Sequence, residues 1–216
     1  MIHIISQQNS IFNRFLAEIR DEKIQKDRFR FRNNMERLGQ VFAYELSKHL
    51  EYSENKVRTP LGTAKIDLNS DNPVLCAILR AGLPLHHGLL SFFDHADNAF
   101  VTAYRNHKKG DDEFEIEVEY LSGPELLDRV LIICDPMLAT GASILKVHKA
   151  LKKLGRPKQL HIVSAIASSE GLAFLKQHLP ANTHYWLGAI DEELTAQGYI
   201  VPGLGDAGDL AFGLKS

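Results

Sequence analysis

The amino-acid sequence predicts an α/β fold built on a doubly wound, mainly parallel sheet. Short, wholly apolar segments such as Val-Leu-Ile-Ile at positions 130–133 are typical of strands that are buried on both faces of a sheet. These segments alternate with stretches whose apolar residues recur at helical spacing, which is the pattern of consecutive βαβ units. A chain of 216 residues is expected to form one domain, residues 1–216.

The N-terminal part, residues 9–54, is predicted to be helical. Its apolar stripe recurs every three or four residues and includes Phe29, Met35, Leu38, Phe42, Leu46 and Leu50. A basic cluster precedes and overlaps this stripe at Lys23, Lys26, Arg28, Arg30 and Arg32. We interpret the cluster as a solvated face, with a contact to another subunit or to an effector phosphate as the alternative. Residues 56–68, with Thr-Pro-Leu-Gly-Thr at 59–63, predict a small hairpin.

The remaining elements follow in order along the chain. Apolar runs predict strands at residues 73–79, 98–104, 130–133, 160–166 and 183–188, and helical periodicity predicts helices at 83–93, 144–154 and 170–179. Between 113 and 120, glutamates alternate strictly with Phe114, Ile116, Val118 and Tyr120. This period of two indicates a half-exposed strand, so residues 104–121 are predicted to form a projecting β-arm.

The composition indicates which binding partners and which cellular compartment to expect. Apolar content of 44% and charged content of 24% are ordinary for a soluble globular protein, and a net charge of −2 gives no reason to expect nucleic acid or an anionic membrane as a partner. The sequence has neither a signal-peptide pattern at its start nor an apolar window long enough to span a bilayer. Cys76 and Cys134 lie in apolar runs, so we expect reduced thiols in a cytoplasmic protein.

Ten histidines are many for this length, yet no pair has the spacing of a zinc site beside cysteines. His86 and His87 are adjacent and would point in different directions on a helix, so we interpret them as packed or solvated side chains.

The segment at 129–155 predicts a strand, a turn of small residues and a helix that ends at Gly155. The first amides of a helix have no intrahelical partner, and Thr-Gly-Ala-Ser at 140–143 would leave them open to a phosphate. Asp135, at the end of the strand, could accept hydrogen bonds from sugar hydroxyls or hold a metal ion. An ordinary capped turn is the alternative, because the segment has neither the P-loop lysine nor Gly-x-Gly-x-x-Gly.

Asp-Pro-Met-Leu-Ala-Thr-Gly-Ala-Ser at 135–143 resembles the phosphoribosyl-diphosphate (PRPP) loop of the phosphoribosyltransferases, in the form carried by the uracil phosphoribosyltransferase family. Two further segments resemble the same family: Ile-Leu-Arg-Ala-Gly-Leu at 78–83, and Gly-Tyr-Ile-Val-Pro-Gly-Leu-Gly-Asp-Ala-Gly-Asp at 198–209, followed by Phe212 and Gly213. The three segments occur in the family's order, and the likeness extends from about Arg28 to the end of the chain.

The resemblance implies a type I phosphoribosyltransferase fold and transfer of the 5-phosphoribosyl group from PRPP to N1 of uracil, giving UMP and diphosphate. It implies Mg²⁺ bound through PRPP, with no metal ligand from the protein, and it assigns catalytic roles to Asp135, Arg105 and Asp206. The implied PRPP-binding residues are Arg80, Arg105, Asp135, Pro136, Met137, Leu138, Ala139, Thr140, Gly141, Ala142, Ser143 and Asp206. In the family the β-arm can cover the substrate, but Lys-Lys-Gly-Asp-Asp at 108–112 departs from the usual acidic run.

The tail, residues 198–213, has glycine at 198, 203, 205 and 208, which predicts a tightly turned loop without regular structure. Uracil presents an acceptor, a donor and an acceptor on one edge, which main-chain groups can read. Cytosine would leave buried groups unpaired at a cost of roughly 1–3 kcal/mol each. By resemblance, the uracil-binding residues are Ile200, Gly205, Asp206 and Ala207.

Two departures and two alternatives accompany this assignment. Ala142 stands where the family usually has glycine, and Leu210 where it usually has a basic residue. A regulator with the PRPP fold that binds RNA would need a basic face, which the charge balance does not favour. A purine or orotate transferase would lack the match at 198–209. Family members commonly form homodimers or larger assemblies, and GTP is a possible effector.

Overall fold

The computed structural model describes residues 1–107 and 114–214, and the side chains of these except 104–107 and 114–116. The strands are β1 Ile2–Ile4, β2 Tyr52–Thr59, β3 Gly62–Asn69, β4 Val74–Leu79, β5 Asp97–His107, β6 Phe114–Ser122, β7 Val130–Cys134, β8 Met137–Leu138, β9 Gln159–Ser168, β10 His184–Asp191, β11 Glu193–Leu194 and β12 Ile200–Val201. The α-helices are α1 Ile11–Arg20, α2 Arg28–Ser47, α3 Leu83–Leu90, α4 Ala142–Leu151, α5 Ser169–His178 and α6 Ala207–Phe212.

The central sheet has the order β1-β10-β9-β7-β4-β5-β6, and the short strand β8 pairs with β9. Every pair is parallel except β5 with β6, as the apolar runs predict. From β4 the chain crosses outward to β5 on one side, and from β7 it proceeds through β9 and β10 on the other. The strand order therefore reverses between β4 and β7, and ligands bind beside such a reversal, outside the carboxyl ends of the strands.

Both faces of the sheet are buried. On one face, Leu75 and Ile132 belong to a core cluster with residues of α1, α2 and α3. On the other, Cys76 and Ile133 pack in a second cluster with residues of α4 and α5. Consecutive strand residues point to opposite faces, so an uninterrupted apolar run supplies both cores. Cys76 and Cys134 are buried free thiols.

The N-terminal helical prediction was correct in kind but wrong in its limits. α1 ends at Arg20, α2 ends at Ser47, and β2 begins at Tyr52, so residues 52–54 are not helical. Phe29 is 69% exposed and does not belong to the core stripe, whereas Phe31 is buried. The spacing explains the error, because the buried stripe of α2 runs from Phe31 in steps of three and four and leaves Phe29 outside it.

The basic cluster is not simply a solvated face. Arg30 donates from Nε and Nη2 to the buried carboxylate of Glu18 at 2.9 and 2.8 Å, and Asn34 donates to the same carboxylate at 2.7 Å. These hydrogen bonds lower the pKa of Glu18 to about 2. Arg32 donates to the carbonyl of Ala211 at 2.7 Å. Two members of the cluster therefore join α2 to α1 and to the C-terminal segment.

The strand pairing can be compared with two predictions, the hairpin at 56–68 and the β-arm at 104–121. β2 and β3 pair from Tyr52 with Asn69 to Thr59 with Gly62, which confirms the first hairpin and lengthens it. β6 pairs antiparallel with β5, but the register shifts between Thr102 and Ala103. Tyr120 is 55% exposed, so not every apolar position of the half-exposed strand is covered. Residues 108–112, where the sequence departs from the family, lie outside the described residues.

The prediction that the tail lacks regular structure was wrong. β12 pairs with β11, and α6 follows it. Gly198, Gly203 and Gly205 have positive φ and turn the chain, as glycine permits. Gly208 instead lies within α6, which forms because the Asp206 side chain accepts a hydrogen bond from the Asp209 amide at its start.

Acid is expected to destabilise the fold through His86 and His148. Both are buried, and burial lowers the pKa of each imidazole to about 4 from an ordinary value of 6.5. Between these two pKa values the unfolded chain binds more protons than the folded one, so the free energy of unfolding falls as the pH decreases. The loss is on the order of 3 kcal/mol per histidine by about pH 4.

Urea unfolding of the wild type and of the double variant His86→Gln/His148→Gln, from about pH 7 to about pH 4, measures this effect. We expect a shallower loss of stability in the double variant. Equal pH dependence in the two proteins would contradict the assignment.

Candidate active site

A cavity of about 570 Å³ opens at the carboxyl ends of β4 and β7, where the strand order reverses. All three segments that the sequence singled out line it. The predicted site residues that line the cavity are Arg80, Asp135, Met137, Leu138, Ala139, Thr140, Gly141, Ser143, Ile200, Gly205, Asp206 and Ala207. Pro136 and Ala142 are not among the lining residues, and the Arg105 side chain lies outside the part that the structure describes.

The small-residue turn ends at Gly141, whose φ of 79° is in the left-handed region. α4 begins directly after it, and Thr140, Gly141, Ser143 and Ile144 line the cavity, so the start of this helix lies at the cavity wall. Thr140 Oγ1 accepts a hydrogen bond from the Ala142 amide at 3.3 Å. Ala142 is helical, so replacing the family's usual glycine there introduces no backbone strain.

Hydrogen bonds from β9 hold the loop before this turn. Ser164 Oγ donates to the carbonyl of Asp135, and Ser168 Oγ donates to the carbonyl of Ala139 at 2.5 Å. Between them, the amide of Ile166 donates to the carbonyl of Pro136 at 3.0 Å. The loop is therefore attached to β9 along its length. Sequence reasoning missed both serines, although a serine within an apolar strand signals a buried polar group that needs a partner.

Asp135 lies at the base of the cavity, at the end of β7. Its Oδ1 accepts a hydrogen bond from the Met137 amide at 3.2 Å. Burial raises the pKa of this carboxyl to about 7, although the Met137 hydrogen bond opposes the rise. The protonated form of this carboxyl is therefore favoured more than that of an exposed aspartate. Hydroxyl donors would favour the carboxylate form, which suits a group that binds a sugar.

In the segment at 78–83, Gly82 packs closely against the main chain at the ends of β4 and β7. A Cβ at Gly82 would lie 2.7 Å from the Ile78 carbonyl oxygen and 2.8 Å from that of Cys134, so only glycine fits between β4 and β7. Arg80 lines the cavity, but its Nη2 donates to the carbonyl of Gly213 at 3.1 Å and lies 3.6 Å from Asp209 Oδ1. Arg80 therefore lines the cavity and pairs with Asp209 at the same time.

The tail is held in place by a partly buried ion pair between distant parts of the chain. Arg20, at the end of α1, donates two hydrogen bonds of 2.9 Å to Asp191, at the end of β10. Asp191 Oδ2 also accepts from the Gly203 amide at 2.9 Å. One carboxylate thus fixes the turn that leads into Gly205 and Asp206, both of which line the cavity.

The family resemblance assigns uracil binding to the tail, so we expect Asp191→Asn to raise the KM for uracil about tenfold, because the neutral side chain loses the charge-assisted pair that positions the Gly203 turn. The KM for PRPP should change much less, since the loop at 135–143 is attached to β9 instead. Steady-state kinetics with each substrate varied in turn separates the two constants. Equal changes in both would indicate general loosening of the fold and contradict this role for Asp191.

Two more observations concern residues that the sequence did not assign or left open. Tyr199 lines the cavity beside Ile200. An aromatic residue next to a glycine turn was the available signal.

Leu210, where the family usually has a basic residue, packs against the core cluster of the α1, α2 and α3 face. That position therefore contributes apolar contacts instead of charge in this chain.

Comparison with known proteins agrees with this geometry. The sequence model of the family described as Uracil phosphoribosyltransferase matches residues 5–214. The chain is 50% identical over 215 residues to the uracil phosphoribosyltransferase of Porphyromonas gingivalis, covering 100% of this chain and 99% of that protein. It is 40% identical over 206 residues to the uracil phosphoribosyltransferase of Thermococcus gammatolerans, covering 93% and 89%.

Solved structures give the same fold. The AQ2163 protein from Aquifex aeolicus is similar with a TM-score of 0.87 and 29% identity, covering 99% of each chain. The orotate phosphoribosyltransferase of Mycobacterium tuberculosis is similar with a TM-score of 0.51 and 14% identity, covering 91% of this chain and 96% of that one, which concerns the fold alone. On its full-length sequence match, the chain belongs to the uracil phosphoribosyltransferase family.

Proposed function

We propose that this protein transfers the 5-phosphoribosyl group of PRPP to N1 of uracil, forming UMP and diphosphate. The observation that carries the proposal is the meeting of three separate segments, 78–83, 135–143 and 198–208, around one cavity at the strand-order reversal. Membership of the uracil phosphoribosyltransferase family supplies the reaction. Around the cavity, we assign a different part of the two substrates to each of the three segments.

In this proposal the turn at 140–143 binds the 5-phosphate through the open amides of α4 and the hydroxyls of Thr140 and Ser143. Asp135 accepts hydrogen bonds from the ribose hydroxyls. Arg80 and Arg105 neutralise the diphosphate, which requires Arg80 to exchange part of its contact with Asp209 for substrate.

The base-binding part of the proposal rests on the tail. Gly205 has a φ of 92°, and apart from Gly205 itself and its two chain neighbours no heavy atom of the described residues lies within 4 Å of a Cβ built on it. The main chain there is open on the cavity side, so a flat ring can approach it closely. We assign the uracil contacts to the main chain of Ile200, Gly205 and Ala207, and to Asp206, which also reaches PRPP.

Mg²⁺ fits the donor groups around the cavity. Among the described residues that line it, the acidic side chains are those of Asp135 and Asp206, the hydroxyl oxygens belong to Thr140, Ser143 and Tyr199, and no histidine or cysteine is present. We propose that the ion would enter with PRPP and that the carboxylates of Asp135 and Asp206 would help to hold it in the cavity. When bound, Mg²⁺ would neutralise charge on the departing diphosphate.

The chemistry is displacement at the anomeric carbon. The bond from this carbon to N1 forms, the bond to the diphosphate oxygen breaks with its electron pair, and the N1 proton is released. Because the transition state resembles an oxocarbenium ion, positioning and charge stabilisation are what the protein contributes. None of the assigned residues acts as a covalent nucleophile.

An assay of nucleotide formation from PRPP with uracil, cytosine, orotate and hypoxanthine in parallel tests this proposal. We expect UMP with uracil and turnover at least about 10³-fold lower with each other base, because each leaves main-chain groups unpaired or does not fit. Equal turnover across the four bases, or none with uracil, would contradict it.

The oligomeric state, the response to GTP and the cellular location of the protein are further predictions. A homodimer or larger assembly is supported by apolar side chains exposed on the hairpin of β2 and β3, including Val57, Leu61 and Ile66. Activation by GTP and a cytoplasmic location remain predictions from the family resemblance and the composition. No helix in residues 1–107 and 114–214 is long and apolar enough to cross a membrane.

A further inference from the structure

Three histidines that are far apart in the sequence meet at one edge of the sheet. His3 lies in β1, His49 follows α2, and His184 is the first residue of β10. One ring nitrogen from each lies within 4.8 Å of the other two. The cavity described above opens at the carboxyl ends of the parallel strands, whereas this cluster lies at the amino end of β10. The histidine cluster is therefore separate from the proposed active site.

Strand register and ring stacking position two of the three imidazoles. β1 and β10 are parallel, with His3 opposite Trp186, so His3 shares a face with His184, two residues before Trp186. The His3 ring stacks on the Trp186 ring at 3.8 Å with an interplanar angle of 5°. His161 stacks on His184 at 4.9 Å and accepts a hydrogen bond from Trp186 Nε1 at 3.0 Å. The indole and the fourth histidine therefore form a wall behind the cluster.

The distance between His3 and His184 matches that of a tetrahedral metal site, and the His49 ligand atom lies within 4.8 Å of both. With metal–nitrogen bonds of about 2.0–2.1 Å, two imidazole nitrogens in a tetrahedral zinc site lie roughly 3.4 Å apart. His3 Nε2 and His184 Nδ1 are 3.4 Å apart in this structure. His49 is exposed in the turn after α2, so its ring can approach the other two by the remaining distance. The neighbouring Lys48 is paired with Glu45 at 2.8 Å, which reduces its repulsion of a cation.

We propose that His3, His49 and His184 bind a first-row divalent transition metal ion, with Zn²⁺ as the best match. Three neutral imidazoles with a solvent molecule in the fourth position form a common zinc coordination sphere. Imidazole ligands suit Zn²⁺, Cu²⁺ and Ni²⁺, whereas Mg²⁺ requires oxygen ligands. This site would therefore not compete for the ion that accompanies PRPP.

The position of the cluster gives the ion a structural role. A metal bound there would join the edge strand β1 to β10 and to the turn that follows α2, three segments that are otherwise distant in the sequence. Because the unfolded chain does not hold the three ligands together, binding would stabilise the folded state in proportion to the metal concentration. The alternative is an aromatic stack in which the histidines serve packing alone.

Calorimetric titration of metal-free protein with Zn²⁺, without PRPP or Mg²⁺, tests the proposal. We expect one ion per chain with micromolar or tighter affinity, and a rise in Tm of about 5 °C or more at saturation. Substituting Co²⁺ should give the visible absorption of a tetrahedral site. His49→Gln should weaken Zn²⁺ binding about 100-fold or more, and because His49 is on the surface the variant should fold.

His95→Gln is the matched control, since His95 is 98% exposed and lies outside the cluster. It should bind Zn²⁺ as the wild type does. Equal Zn²⁺ affinity in the wild type and in His49→Gln would assign the ion to other surface histidines and overturn the proposal. Absence of saturable binding to the wild type would overturn it equally.

Discussion

Replacing Asp206 with alanine is expected to lower kcat/KM about 10³-fold while the protein remains folded. Asp206 lines the cavity as part of the tail that we propose binds uracil. Removing one preorganised polar group that stabilises developing charge commonly costs 10²–10³-fold in rate, and this residue also supports binding. Steady-state kinetics with both substrates gives the loss, and far-UV circular dichroism shows whether the fold is retained.

Asp206 has a second role that the experiment must separate. Its side chain accepts from the Asp209 amide at 3.0 Å and caps α6, and losing such a cap costs about 0.5–2 kcal/mol. Asp206→Asn is the matched control, because asparagine caps a helix as well as aspartate does. We expect Asp206→Asn to restore stability but not turnover. Near-wild-type turnover in this variant would show that the residue acts only as a cap.

Replacing Gly171 with alanine is expected to weaken PRPP binding more than 100-fold, although Gly171 is outside the cavity. A Cβ at this position of α5 would lie 1.9 Å from the carbonyl oxygen of Ala139 and 2.8 Å from its carbonyl carbon. The backbone of the 135–143 loop would have to move, and with it the turn at Thr140. Alanine favours a helix over glycine by only about 1 kcal/mol, which is too little to offset that clash.

Calorimetric titration with PRPP and Mg²⁺ measures this effect, and Gly62→Ala is the control. Gly62 lies in the hairpin of β2 and β3, and in the described part of the chain no heavy atom beyond Gly62 and its two chain neighbours is within 4 Å of a Cβ built there. The control should bind PRPP normally. Wild-type affinity in Gly171→Ala would mean that the loop is not held against α5 as this structure shows.

The strands of the fold could be predicted because their signal is local. Runs such as Val130 to Ile133 are apolar at every position, which a strand buried on both faces requires. The order of the strands could not be predicted in the same way, since it depends on packing between distant segments. The limits of the elements were also predicted incorrectly where a capping interaction determines where a helix begins. α6 was missed because glycine content argued against a helix, while the Asp206 cap favours one.

The cavity could be predicted in outline, because its three segments carry long sequence motifs. Its supporting residues could not. Arg20 and Asp191 are 171 positions apart, and nothing near either one indicates that they form the pair that holds the tail. The histidine cluster is a similar case, since zinc spacing rules search for ligands that are close in sequence. Interactions of this kind arise from the topology of the sheet.

The crystal structure of the complex with UMP would test the central claim most directly, because UMP carries both the 5-phosphate and the uracil ring. We expect the phosphate on the amides and hydroxyls of residues 140–143, the ribose hydroxyls on Asp135, and the uracil edge on the main chain of residues 200–207. A phosphate bound away from the start of α4, or a uracil ring with no contact to the tail, would contradict the account.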